Sequence, residues 1–505
     1  MPDDVDVENR VLANCDVDTI SAALAGFPGV TVTDVSVNRS GTVEIPEHVL
    51  GIPGFTAESM PDYCAVHIER ACSDKHTEKI TVWVPLVWNG RFMGTAGGGN
   101  RLTVGLSPLV AAVKNGFSAA NTDGAVGGDD RVFDWQFDLS SGANDDVLVD
   151  NWVHESTHQM TVIGKAVTAA IHGEAPRVSY FQGGSGGGRQ GMASAMLHPD
   201  DYDGIWSQMP AMNWTRFIPA ELWPALVMKE LGVLAVAKLE AFREAAVAEF
   251  NAEHGLGWAF IASPDTPSFD PYTVVGQDTS AGPITDNDAR VMKTIWDGPH
   301  TPDGQRLWFG LRPGVESWGA IAPGLGLCCV KSDADGQLTP DPVPVAVSWF
   351  QTWLLEDPTW DWTSLDFDEY ARLFEFGQEK FAHVAIDDPD LTAFRDNGSK
   401  LLITHGTDDE VIFVQGTCHY YDRLLETMGG FDEVGQFARL LLCSGEGHGF
   451  PITDGANIDL AAGMAALMKW VEQGVAPDHI DPVGPAVSDV ESARGLVVTY
   501  GVKRA

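Results

Sequence analysis

Apolar residues along this chain fall into short runs, and the stretches between many of them carry helical spacing. The run "KITVWVPL" (79–86) predicts a strand, and "WNGRFMGTAGGGN" (88–100) predicts a short strand ending in a glycine cluster. "LSPLVAAVKNG" (106–116) has a helical period closed by glycine, and "FSAANTD" (117–123) suits a further strand. Residues 152–172 keep one apolar face along a long helix. Strand "VSYFQ" (178–182), a helix over 186–197 and strand "YDGIWSQMP" (202–210) follow. Short apolar strands alternating with helices predict a parallel sheet covered on both faces. Residues 1–75 lack this order and read as irregular and turn-rich.

The rhythm breaks between residues 212 and 375. That segment holds helical material, then stretches rich in Pro, Gly and Asp, and ten of the sixteen tryptophans. It returns with strand 400–406, helix 414–428, strand 437–444 and helix 459–473. The simplest account is an α/β domain made of residues 1–211 and 376–505, interrupted by an inserted domain of residues 212–375. No internal repeat or low-complexity tract is evident.

Composition narrows the picture. With 505 residues, 44% of them hydrophobic, the chain has ample material for a large core. Its 71 acidic and 31 basic residues give a formal charge of −40, which argues against nucleic acid or an anionic membrane as partner. The start, "MPDDVDVENR", has no basic or apolar segment of a secretory signal, and no apolar run is long enough to span a bilayer. The expected location is cytoplasmic, or secreted if a signal was removed. Seven cysteines without a C-x-x-C pair predict neither a disulfide framework nor a structural zinc, and no cofactor or metal is expected.

The candidate chemistry centres on "YFQGGSGGGRQGM" (180–192). Gly183-Gly184-Ser185-Gly186-Gly187 fits G-x-S-x-G between a strand and a helix, where small residues allow a sharp turn with serine at its tip. A serine hydroxyl is a poor nucleophile until a base takes its proton, so an acid and a histidine must follow. Strand "LLIT" leads into "HGTDDEVI", offering Asp408 and Asp409; strand "RLLLC" leads into "SGEGHGF", offering His448. The N–H of Gly186 at the helix start would stabilise an oxyanion, with a second donor, Gly98 or Gly99, from "TAGGGN" (95–100).

A competing motif is "HESTH" (154–158), the H-E-x-x-H of zinc proteases. It places His154 and His158 on one helix face beside Glu155. The metzincin continuation would need Gly at 161 and His at 164, where this chain has Thr161 and Gly164. His172 and Glu174 follow the helix but do not supply an acid on a second helix, so this helix is expected only to pack on the sheet.

The chain resembles the tannase/feruloyl esterase family, which includes the aromatic polyester monoesterases. The resemblance rests on "VPLVWNGRFMGTAGGG" (84–99), "NGFSAANTDGA" (115–125), "VHESTHQMTVIGKAV" (153–167) and the long match from Val178 to Trp214. It extends to "IWDGPHTPDGQRLWFGLRPGVESW" (295–318), "LLITHGTDDEVI" (401–412) and "GEGHGF" (445–450). It implies an α/β-hydrolase fold with a mostly parallel central sheet, in which the insertion at 212–375 is a lid over the substrate. It implies Ser185 as nucleophile and His448 as base. It implies Asp409 as the acid, because the family's H-G-x-x-D pattern begins here at His405. The expected activity is hydrolysis of small-molecule esters of aromatic acids through an acyl-enzyme, with acyl transfer by the same triad as the alternative. Family members usually bridge a Cys before the serine to a Cys after the histidine; here those positions are Gly184 and Gly449. The resemblance also implies a pairing of Cys15 with Cys64. The family's lid often carries a calcium loop that "KLEAFREAAVAEFNAEHG" lacks, so no calcium is expected.

Overall fold

The run Val178–Gly184 is buried on both faces, with Tyr180 and Phe181 inaccessible to solvent, and Gly204–Gln208 carries Trp206 in the same state. Continuous apolar runs of this kind belong to strands sandwiched between helix layers. The structure, a computed structural model, describes every residue except 1–3, 49–52, 127–132, 264, 266, 320–325, 450–454, 484–493 and 502–505. Part of the expected lid, 320–325, and Phe450 of the "GEGHGF" motif lie outside the described residues. The chain forms two units, Met1–Gln208 with Leu391–Leu402, and Met209–Asp390 with Ile403–Ala505.

The first unit carries strands β1 (Val30–Asn38), β2 (Tyr63–Ala71), β3 (Thr77–Pro85), β4 (Arg91–Thr95), β5 (Ser118–Thr122), β6 (Val178–Gly184) and β7 (Gly204–Gln208). Their hydrogen-bonded order is β1-β2-β3-β5-β4-β6-β7. The pairs β4–β5, β4–β6 and β6–β7 are parallel, with Tyr180 opposite Met93 and Gly183 opposite Ser207. The outer pairs β1–β2, β2–β3 and β3–β5 are antiparallel. Helices α3 (Ser107–Lys114) and α4 (Ser156–His172) pack on β5, and α5 (Gly186–Leu197) packs on β6 and β7. The result is the layered α/β arrangement with a large, mostly parallel central sheet that the sequence predicts.

The described part of residues 1–75 carries regular helices and strands, where the sequence predicts irregular, turn-rich chain. Helices α1 (Asp4–Ala13) and α2 (Val17–Ala23) pack on α4, and β1 pairs with β2 over most of its length. A register shift between Val32 and Asp34 leaves Thr33 outside the regular pairing, so the two-residue alternation of β1 slips by one and hides the strand. Cys15 and Cys64 are free thiols in hydrogen-bond contact, which favours the Cys15 thiolate and disfavours that of Cys64.

The second unit continues from strand β8 (Lys400–Gly406), whose last four residues belong to it, into β9 (Ala438–Cys443) and β10 (Val497–Thr499); β10 runs antiparallel to β9. Its helices include α6 (Trp214–Leu231), α7 (Val236–His254), α8 (Asp286–Asp297), α9 (Phe367–Lys380), α10 (Val414–Met428) and α11 (Leu460–Gln473). The aromatic-rich segment largely packs on itself. Trp223 lies against Phe367 and Tyr370, Tyr370 against Phe350 and Phe374, and Trp349 against Trp353 and Phe381. Among the described residues no helix is long and apolar enough to cross a membrane.

One buried cation fixes the approach to α5. Residues Asn151–Glu155 form a π-turn just before α4. The wholly buried Arg189 of α5 donates to the carbonyls of Trp152 (2.6 Å) and Val153 (3.3 Å), with its guanidinium 3.6 Å from the Trp152 ring centre. Burial lowers its pKa to about 9, the signature of a costly desolvated charge. Arg189→Met keeps the length but strands both carbonyls, so it should destabilise the chain by about 2–4 kcal/mol in denaturant unfolding. Unchanged stability would mean that the desolvation cost cancels these bonds.

Candidate functional site

Each of the two units carries residues that the sequence singles out. In the first, Ser185 sits between β6 and α5 with φ 58° and ψ −123°, a conformation that L-residues avoid at a cost of about 1–3 kcal/mol. The strain is held from both sides. The Ser185 N–H donates to the Gln208 carbonyl at 2.9 Å, and the Ser185 carbonyl accepts from the Arg189 N–H at 3.0 Å, the first bond of α5. Glycine is needed on either side. A Cβ at Gly183 would stand 2.7 Å from the Gly187 backbone, and one at Gly186 would overlap the Gly99 carbonyl. The first N–H groups of α5, beginning with Gly186, have no partner within the helix and point out at its positive end.

The loop after β4 approaches this turn. Gly97 donates its N–H to Gln190 Oε1 (2.8 Å), and Gln190 Nε2 donates in turn to Thr157 Oγ1 (3.0 Å), so a buried amide of α5 anchors the loop to α4. Gly97 is therefore committed. Among the described residues no acceptor takes the N–H of Gly98 or Gly99, and Gly99 has φ 58°. Gln190 is a positioning residue that the sequence reading missed; its place one turn after the serine was the available signal.

In the second unit, His448 Nδ1 lies 3.0 and 3.2 Å from the two Asp409 oxygens. The inaccessible Asp409 carboxylate also accepts from the N–H groups of Val411 (2.9 Å) and Ile412 (2.7 Å) and lies 3.1 Å from His405 Nε2. A carboxylate so placed requires Nδ1 of His448 to carry a proton, which leaves the lone pair on Nε2. Backbone bonds join the acid and histidine loops. The Thr407 N–H donates to the Cys443 carbonyl (2.8 Å), and the Asp408 N–H to the Glu446 carbonyl (3.0 Å). Asp408 turns away from the histidine: it accepts from Thr407 Oγ1 (3.0 Å) and lies in the field of Arg312, which donates to the Thr407 carbonyl (2.6 Å).

The electrostatics are unusual because three carboxyl groups, Asp409, Glu410 and Glu446, act on one imidazole. Burial alone would raise the Asp409 pKa, but the His448 charge and the hydrogen bonds of His405 and His448 hold it well below the carboxylate range. Burial and repulsion by Asp409 lift Glu410 to about 7, and burial lifts Glu446 to about 8. Glu221 is pushed well up by burial and by the Asp409 charge. Burial pulls the His448 pKa down, but Asp409, then Glu410 and Glu446, outweigh it and raise it above 6.5. Glu410 also accepts the His448 backbone N–H at 2.9 Å. No local sequence signal distinguishes these glutamates from the other acidic residues of so acidic a chain.

His154 and His158 lie in the first unit beside His198 and Asp201, and Glu155 faces Arg70 at 3.7 Å. Gly449 has φ 78°, a conformation that favours glycine.

A family model described as "Tannase and feruloyl esterase" matches residues 64–500. A probable feruloyl esterase of Arthroderma benhamiae is 34% identical over 433 residues, covering 83% of this chain and 78% of the relative. Feruloyl esterase B of Aspergillus niger is 27% identical over 471 residues, covering 89% and 85%. Among solved structures, a tannin acyl hydrolase from Aspergillus niger has TM-score 0.81 at 22% identity, over 94% of this chain and 90% of that one. Feruloyl esterase B from Aspergillus oryzae has TM-score 0.76 at 21% identity, over 92% and 93%. These structures share the fold of this chain.

The geometry of the second cluster sets an expected titration. Followed by NMR, the imidazole of His448 should titrate above the ordinary histidine value, and Asp409→Asn should lower its pKa. A value for His448 that does not move in this variant would remove Asp409 as the source of the shift.

Proposed function

The chain belongs to the tannase and feruloyl esterase family and is a carboxylic ester hydrolase, and we propose that it cleaves esters of aromatic acids using Ser185, His448 and Asp409. Ser185 Oγ attacks the ester carbonyl as His448 Nε2 takes its proton, and Asp409 holds Nδ1–H and stabilises the imidazolium. The negative charge that develops on the carbonyl oxygen is met by the N–H of Gly186 and by that of Gly98 or Gly99. His448 returns the proton to the leaving alcohol, and water then hydrolyses the acyl-enzyme by the same route. Residues 212–375 act as the lid that receives the aromatic part of the substrate, and 1–211 with 376–505 form the α/β catalytic domain.

The observation that carries this reading is the Ser185 backbone, the strained φ of 58° that presents a side chain at the tip of a strand-to-helix turn. The His448–Asp409 pair adds the base and the acid in their required tautomer.

Ser185→Ala should lower kcat toward aryl and hydroxycinnamate esters on the order of 10⁶-fold with the fold intact by circular dichroism. Asp409→Asn should cost on the order of 10⁴-fold. Activity retained by Ser185→Ala would overturn the assignment. Because His448 must be neutral to act, kcat/KM should fall as pH drops, with its acid limb above 6.5. Glu410→Gln removes one negative neighbour and should move that limb to lower pH; a limb that stays in place would exclude Glu410 as a contributor. Products analysed with an added alcohol separate hydrolysis from acyl transfer.

A further inference from the structure

The H-E-x-x-H motif has no part in the serine chemistry, yet the fold completes it. His154 lies in the π-turn Asn151–Glu155, and His158 in the first turn of α4. Helix α5 ends at Leu197, capped by His198, and the chain then turns, the Asp201 N–H donating to the His198 carbonyl at 3.0 Å. That turn delivers two further side chains to the motif. The His198 ring stacks on His158 with centroids 4.0 Å apart and planes 11° from parallel, and its Nε2 lies 2.9 Å from His154 Nδ1. The Asp201 carboxylate lies 2.9 and 3.1 Å from His158 Nδ1. One ligand atom each from His158, His198 and Asp201 fall within 4.8 Å of one another.

The geometry points to a binding site for a divalent ion of the zinc class, held by His158, His198 and Asp201 with His154 as fourth ligand. Three imidazoles and one carboxylate suit tetrahedral zinc, with bonds of about 2.0–2.2 Å. The three histidine side chains are only partly buried, which leaves the His198 ring room to turn off the face of His158 so that both aim a ring nitrogen at one ion.

This ion would have a structural role. The Glu155 that serves as base in zinc proteases is turned to Arg70 at 3.7 Å. His198 and Ser185 cap opposite ends of the 12-residue α5, about 20 Å apart by helical rise. An ion here clamps the far end of the serine's helix to α4 and takes no part in ester cleavage.

The test uses the untagged full chain stripped with a chelator and titrated with zinc by calorimetry and with cobalt by visible absorption. One equivalent should bind, with the absorption of tetrahedral cobalt. Zinc should raise the melting temperature, and Ser185→Ala should bind equally well. His158→Ala and His198→Gln should each weaken binding at least about 100-fold while remaining folded by circular dichroism. Esterase activity should survive chelation. Absence of stoichiometric binding in the wild-type chain, or binding unaltered in both histidine variants, would overturn the site.

Discussion

Ser185 can keep a positive φ only while the elements on both sides hold it there. Its N–H is bound to the end of β7, its carbonyl begins α5, and the glycines around it let strand, helix and the loop after β4 come into contact. Each of these contacts rests on a deeper one. Gln190 ties the loop to α4, and Arg189 ties α5 to the π-turn before α4. The backbone strain at one residue is thus paid by packing across much of the first unit, as strained functional turns require.

The second cluster answers a different problem, that of keeping one carboxylate ionised among several. Asp409 stays charged because two backbone N–H groups and two histidines surround it. The neighbouring Glu410, Glu446 and Glu221 are shifted toward the protonated form instead. Environments that push like groups apart in this way are characteristic of acid–base sites. The same crowding tunes His448 upward.

Much of this was legible because the key residues follow apolar strands and sit among glycines, as in "YFQGGSGGG" and "CSGEGHG". The choice between Asp408 and Asp409 required the family pattern, and the structure puts Asp409 against His448 and Asp408 toward Thr407 and Arg312. The N-terminal strands were hidden by the register shift at Thr33, which breaks the alternation on which a strand is recognised. The partners of His158 were hidden by distance along the chain, since His198 and Asp201 follow it by some forty residues and only the packing of α5 brings them back. The glutamates around His448 carry no local pattern, because their shifts arise from burial that spacing does not encode.

The claim at the centre of this account is that the strained serine is the reacting group and the paired histidine its base. Labelling with a fluorophosphonate, read by intact mass and peptide mapping, tests it most directly. The account predicts one adduct per chain, on Ser185, formed much more slowly in His448→Ala. An adduct on another residue, or a Ser185 adduct formed at an unchanged rate without the histidine, would contradict it.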